Sequence, residues 1–180
     1  PHRAHLEVVQ AAARTIGATA TILIPAGQSP HKGDAPRTSD AHRVAMLERL
    51  IEGVPHFTVA TVELDRDGPS YFVDTVEALH GDAAIAKPLR FLIGSDQAIA
   101  LDRWRDAARL LELADPVIVL RPPHTTHDIP EPLRPFIIDA PFLDISATEV
   151  RARRTIDWRF VRLRRASTSS SSCPRRCGSI

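Results

Sequence analysis

The segment PHRAH opens the chain and heads an amphipathic run, with His2 and His5 three residues apart. Side chains at that spacing project from one side of a first helical turn. A helix start also carries unpaired N–H groups and the positive end of the helix dipole, so the chemistry this arrangement suits is the holding of an anion such as a phosphate. On spacing alone, the reading that comes first is two solvent-facing histidines near a chain end. A third reading makes them metal ligands with His31 or Asp96, which nothing in the spacing singles out.

A second stretch of the same character is ISATEV. Ser146 followed by Glu149 forms a capping box, which accounts for those two residues. Thr148 and Arg151 face the start of the same helix, and hydroxyls with a guanidinium there make a second anion site. Asp96 ends the apolar stretch FLIGSD, where it either caps the next helix or accepts hydrogen bonds from a sugar hydroxyl. Trp104 is either a core filler or a flat face for a heteroaromatic ring. GPSYFVDTV supplies a turn whose backbone N–H groups and Tyr71 hydroxyl suit a small polar group, or simply the start of a helix.

Such residues need elements to bring them together. Leu6, Val8, Val9, Ala12, Ala13 and Ile16 recur at helical spacing, with Gly17 as the stop. ATILIPAG reads as a buried strand and QSPHKGDAPR as a loop. Ser39 or Thr38 caps the amphipathic helix DAHRVAMLERLIEG. FTVATVEL is a strand, VDTVEALHGD a shorter helix, LRFLIG a strand, LDRWRDAARLLELA a helix and PVIVL a strand. RPPHTTHDIPEP is a Pro-rich loop, FIIDAP and FLDIS are short extended segments, and SATEVRARR starts a last helix.

Strands alternating with helices predict a three-layer α/β domain with a mainly parallel sheet. Ligands in such sheets bind outside the carboxyl ends of the strands. The polar residues expected on that rim are His31 and Lys32, Glu63 and Arg66, Gly94 and Asp96, Arg121, and residues 146–151. His2 and His5 join them if a strand precedes Pro1.

At 180 residues, with 43% hydrophobic content, the chain suits one domain with one core. Net charge is +1, so no global field points to nucleic acid or a membrane surface. No stretch approaches the roughly 20 apolar residues of a membrane span, and no signal peptide is visible. Cys173 and Cys177 lie in an Arg/Ser-rich tail without partner ligands, so the cytoplasm is the expected compartment.

Six segments in order resemble the bacterial-type nicotinate-nucleotide adenylyltransferases of the nucleotidyltransferase superfamily. They are PHRAH, PHK at 30–32, ELDRDGPSYFVDTV, GSDQAIALDRW, VLRP and ISATEVR. The resemblance runs from residue 1 to about 153. It implies a Rossmann-like nucleotidyltransferase fold, and a domain at 1–153 that lacks the family's first strand and Gly-rich turn. Residues 154–180 are expected to form an atypical, disordered tail. Ala4 stands where the family has Gly, Ala147 where it has Ser, and Phe72 where it usually has Thr.

The activity implied is transfer of the adenylyl group of ATP to nicotinate mononucleotide, giving nicotinate adenine dinucleotide and pyrophosphate. By resemblance, His2 and His5 are the catalytic pair on the ATP phosphates. Asp96, Ser146, Thr148 and Arg151 complete the ATP site. Lys32, Ser70, Tyr71, Phe72, Trp104 and Arg121 form the mononucleotide site. Mg²⁺ is expected with ATP and without a protein-only cage. The implied partners are the two nucleotides, with no nucleic acid and no membrane, and a homo-oligomer is compatible with the resemblance. Other acceptors (pantetheine phosphate or nicotinamide mononucleotide), an inactive nucleotide-binding remnant and a His/Asp metal hydrolase are the alternative readings.

Overall fold

The computed structural model describes residues 3–28 and 38–140. Helix α1 (Arg3–Thr15) carries its apolar stripe inward and stops where Gly17 takes a positive φ of 64°, a conformation that glycine adopts without steric cost. Strand β1 (Thr21–Leu23) follows. Helix α2 (Asp40–Ile51) starts at Ser39, whose hydroxyl accepts the His42 N–H. Strand β2 (Phe57–Val59) leads through a loop to helix α3 (Phe72–Gly81), and strand β3 (Leu89–Gly94) runs directly into helix α4 (Ser95–Ile99). Helix α5 (Ala107–Leu113), strand β4 (Ala114–Val119) and strand β5 (Ile137–Ile138) complete the regular elements of the described residues, with 3₁₀ turns at Leu101–Arg103, Thr126–Asp128 and Glu131–Phe136.

Every strand pairing is parallel, but the strands form two groups. β1 pairs with β2, and β3, β4 and β5 pair in that order. The core lies beneath the second group, where Val73, Val76, Phe91, Ile93, Leu110, Ile118 and Ile129 cluster. α3 packs on α5, and α1 on α2. Between the two groups runs an apolar slot of about 1000 Å³, walled by α1 (Val8, Ala12), α3 (Phe72, Val76), β1 and β3. The Arg90 guanidinium on β3 bridges the groups by donating to the Ile16 carbonyl at the end of α1 (3.1 Å).

Three expectations need correction. FTVATVEL is a strand only over Phe57–Val59, because the backbone of 61–65 closes a local turn: the Leu64 and Asp65 N–H groups both donate to the Thr61 carbonyl. LDRWRDAARLLELA is not one helix. It breaks at Trp104–Asp106, where Asp106 has φ 48°, and the chain re-enters a helix only at Ala107. ATILIPAG pairs as a strand over Thr21–Leu23 alone, with a single further bridge from Gln28 to Pro69. The helix expected at SATEVRARR, the FLDIS segment and the tail lie outside the described residues.

Ile118 sits in the middle strand of the second group, paired on both sides and fully buried. Ile118→Ala is expected to lower stability by about 2–5 kcal/mol. Urea unfolding followed by circular dichroism measures this, and an unchanged midpoint would contradict the assigned core.

Candidate functional site

The carboxyl ends of the parallel strands carry two polar clusters. The first stands on β3 and β4. β3 ends in Gly94, and a methyl group built there would lie 2.6 Å from the Asp96 Oδ1 atom and 3.2 Å from the Arg121 Cδ atom. The absent side chain therefore lets the Asp96 carboxylate and the Arg121 stem close over the strand end. Ser95, fully buried, ties β3 to the segment after β4: the Arg121 N–H donates to Ser95 Oγ (3.0 Å), and the same oxygen lies 3.1 Å from His124 Nδ1. Asp96 does not cap its helix. Gly94 occupies the N-cap position, and the Asp96 carboxylate accepts from the Gln97 amide (3.1 Å).

The second cluster joins the loops after β1 and β2 to the start of α3. Glu63 is buried, and both its carboxylate oxygens are used: Oε2 accepts the Gly27 N–H (2.9 Å) and Oε1 accepts the Thr75 hydroxyl (3.0 Å). The Ser70 N–H donates to the Gln28 carbonyl (2.8 Å), and the Ser70 hydroxyl donates to the Glu63 carbonyl (3.3 Å). Residues 27–28 and 69–70 thus run side by side. Gly27 is required at its position because a methyl group would lie 2.6 Å from the Glu63 carbonyl oxygen and would also strike Ser70 Oγ.

From this anchor the chain enters α3 through Tyr71, which occupies the N-cap position without a side-chain cap, so the first N–H groups of the helix lack a partner from that side chain. Phe72 stands edge-on to Trp104 (centroids 5.7 Å apart) and to Phe91 (5.5 Å). Arg105 lies over the Tyr71 ring at 4.3 Å and within 4.0 Å of Asp74. Trp104 packs against the core, as a core filler would, and is only half-buried.

Of the residues expected from the sequence, His5 is exposed on the first turn of α1 and lines the slot together with Phe72, Gly94 and Arg121. Asp96 and Arg121 meet over Gly94. Ser70, Tyr71, Phe72 and Trp104 gather at the start of α3. His2, Lys32, Ser146, Thr148 and Arg151 lie outside the described residues, as does His31. Among the described residues no three His, Cys, Asp or Glu side chains stand close enough to hold a metal ion, and no helix is long and apolar enough to cross a membrane. Thr75, Ser95 and His124 carried no local signal, and Glu63 was legible only as a rim residue. Their partners are 12 to 36 residues away in the chain.

A family model described as cytidylyltransferase-like matches residues 1–153. The chain belongs to the cytidylyltransferase-like family. A protein of Pectobacterium atrosepticum named "Probable nicotinate-nucleotide adenylyltransferase" is 36% identical over 175 residues, covering 85% of this chain and 81% of its own length. Proteins of the same name from Yersinia pestis and Thermomicrobium roseum are each 33% identical, over 85% and 89% of this chain and 79% and 78% of their own lengths. The parallel strands and flanking helices are those of the Rossmann-like nucleotidyltransferase fold of this cytidylyltransferase-like family.

Gly27→Ala is expected to cost about 1–3 kcal/mol through the displaced Ser70 and Glu63 backbone. Gly81→Ala, at a helical position open to solvent, should be neutral or gain up to about 1 kcal/mol. Thermal unfolding of both variants checks the pair, and equal effects would contradict the close approach at Gly27. Past Arg121, the loop beyond β4 has its own pH dependence. The Thr125 N–H and then the Thr125 hydroxyl, with smaller help from His124 and His127, hold the Asp128 carboxyl below its ordinary 3.8. A carboxyl lowered on folding contributes stability above its unfolded value and loses it as pH falls through the folded one. The melting-temperature difference between the unmodified chain and Asp128→Asn should therefore be full at neutral pH and shrink below about pH 4.

Proposed function

We propose that this chain transfers the adenylyl group of ATP to nicotinate mononucleotide, releasing pyrophosphate and forming nicotinate adenine dinucleotide. The observation that carries the reading is the pair of clusters on one rim. Asp96 and Arg121 stand over Gly94 on one side, and the anchored Ser70–Phe72 segment stands beside Trp104 on the other. One rim with two polar subsites suits a reaction between two nucleotides, and the names of the relatives supply the acceptor. The catalytic domain is residues 1–153, the span that the family model matches, and 154–180 lies outside it.

The chemistry asks little of the protein beyond position and charge. An oxygen of the acceptor 5′-phosphate attacks the α-phosphorus of ATP and forms the new P–O bond. The bond from that phosphorus to the bridging oxygen breaks, and its electron pair leaves with pyrophosphate. No enzyme-bound intermediate is needed. Two anions must be held in line against their mutual repulsion, and the charge spread over the phosphoryl oxygens must be stabilised.

His5, with His2, donates to the ATP phosphates. Ser146, Thr148 and Arg151 hold the triphosphate. Asp96 accepts ribose hydroxyls, and Lys32 and Arg121 contact phosphate. Trp104 stacks its exposed part on the pyridine ring, and the uncapped N–H groups at the start of α3 receive the pyridine carboxylate. Mg²⁺ arrives with ATP as Mg-ATP and supplies charge neutralisation on the phosphates. The cytoplasm is the compartment that fits these substrates.

Pyrophosphate release from Mg-ATP tests the reading. Turnover is expected with nicotinate mononucleotide at a kcat/KM at least about tenfold above that for nicotinamide mononucleotide, because backbone N–H donors favour the carboxylate. Preference for the amide, or no turnover by the folded chain with either, would overturn it. Gly94→Ala should raise the KM for ATP by about tenfold at nearly unchanged stability, because the methyl group meets side-chain atoms only, the Asp96 carboxylate oxygen and the Arg121 stem, and no backbone.

A further inference from the structure

We infer that Glu63 is a positioning residue: its carboxylate sets the Ser70–Phe72 segment for the mononucleotide by joining the two strand groups at the rim. The inference deepens the proposed function and rests on it. Thr75 sits on α3, whose Val73 and Val76 belong to the core of the second group. Gly27 follows β1, in the first group. Glu63 accepts a hydrogen bond from each, so one buried carboxylate crosses from one group to the other. Among the described residues β1 and β3 share no ladder, which makes such cross-ties scarce.

The tie also surrounds the segment it serves. Ser70 donates through its N–H to the residue after Gly27 and through its hydroxyl to the Glu63 carbonyl. Thr75 lies one helical turn beyond Tyr71 and Phe72, and its hydroxyl also lies 3.4 Å from an Arg66 guanidinium nitrogen. The segment is thereby fixed at both ends, from Gln28 before it and from Thr75 after it. Replacing the carboxylate leaves a buried backbone N–H and a buried hydroxyl to find other acceptors, which costs more than the bonds themselves contribute. A carboxamide substitutes only in part: its oxygen can take the Gly27 N–H, but its NH₂ then requires the Thr75 hydroxyl to turn and accept, at the oxygen that the Arg66 guanidinium already faces.

Glu63→Gln and Thr75→Val test this, with Thr75→Ser as the conservative rescue. Each of the first two should raise the KM for nicotinate mononucleotide by about tenfold while leaving the KM for ATP within about twofold, and the double variant should be little worse than either alone. Thr75→Ser should restore the unmodified values. Amide hydrogen exchange without substrate is the second readout, with faster exchange expected at Gly27 and Ser70. Equal rises in both KM values, a fall confined to kcat, or unchanged exchange at those amides would overturn the inference. If Glu63→Gln does not fold, the Thr75 pair decides by the same criteria. If the unmodified chain shows no turnover, the functional reading fails by itself. Exchange then decides whether Glu63 sets the segment, unchanged rates overturning that claim and faster rates supporting it.

Discussion

The structure depends on how two groups of parallel strands are held together where, among the described residues, no backbone ladder joins them. Within each group the hydrogen bonds are local and repetitive. Between them the connection is made by helices that pack across the slot and by a few polar ties. Arg90 binds the end of α1 to the foot of β3, and Glu63 binds the loop after β1 to α3 at the rim. Because the slot is lined mainly by apolar side chains, these polar ties supply the directional contacts between the groups. A shift at the Glu63 tie would move the Ser70–Phe72 segment.

That constraint explains why the site's chemistry can be simple. Transfer of a phosphoryl centre between two anionic nucleotides needs donors aimed at developing charge and a fixed distance between the reactants. Gly94 and Gly27 serve this by what they lack: each allows polar groups to approach a strand end more closely than any side chain would permit. Ser95 and Glu63 serve it by holding those groups from beneath. One fixes the Arg121 backbone and the other fixes Gly27 and Thr75. The two clusters therefore share a plan in which a buried polar residue at each strand end secures the rim segment beside it.

Much of this was legible in the sequence, and the unreadable part has a common physical cause. α1 with its Gly17 stop and α2 with its Ser39 cap follow from local periodicity and capping, and LRFLIG became β3 because an apolar run of that length needs a sheet. The parallel α/β class and the rim positions of Asp96 and Arg121 followed from alternation alone. The break at Trp104–Asp106 did not, since it is held by contacts with Phe72, Tyr71 and Asp74 that lie some 30 residues earlier. The Thr61–Asp65 turn hid in a β-branched run because a turn closed by Thr and Asp has no Gly or Pro to mark it. Glu63 was visible as a polar residue beyond a strand, whereas its partners depend on where two distant segments meet.

One bound dinucleotide is expected to engage both strand groups. Amide hydrogen exchange of the whole chain, with and without nicotinate adenine dinucleotide, tests it most directly. Slowed exchange is expected at residues 94–96 and 121–124 in the first cluster together with 27–28 and 70–72 in the second. Protection confined to one cluster would contradict it.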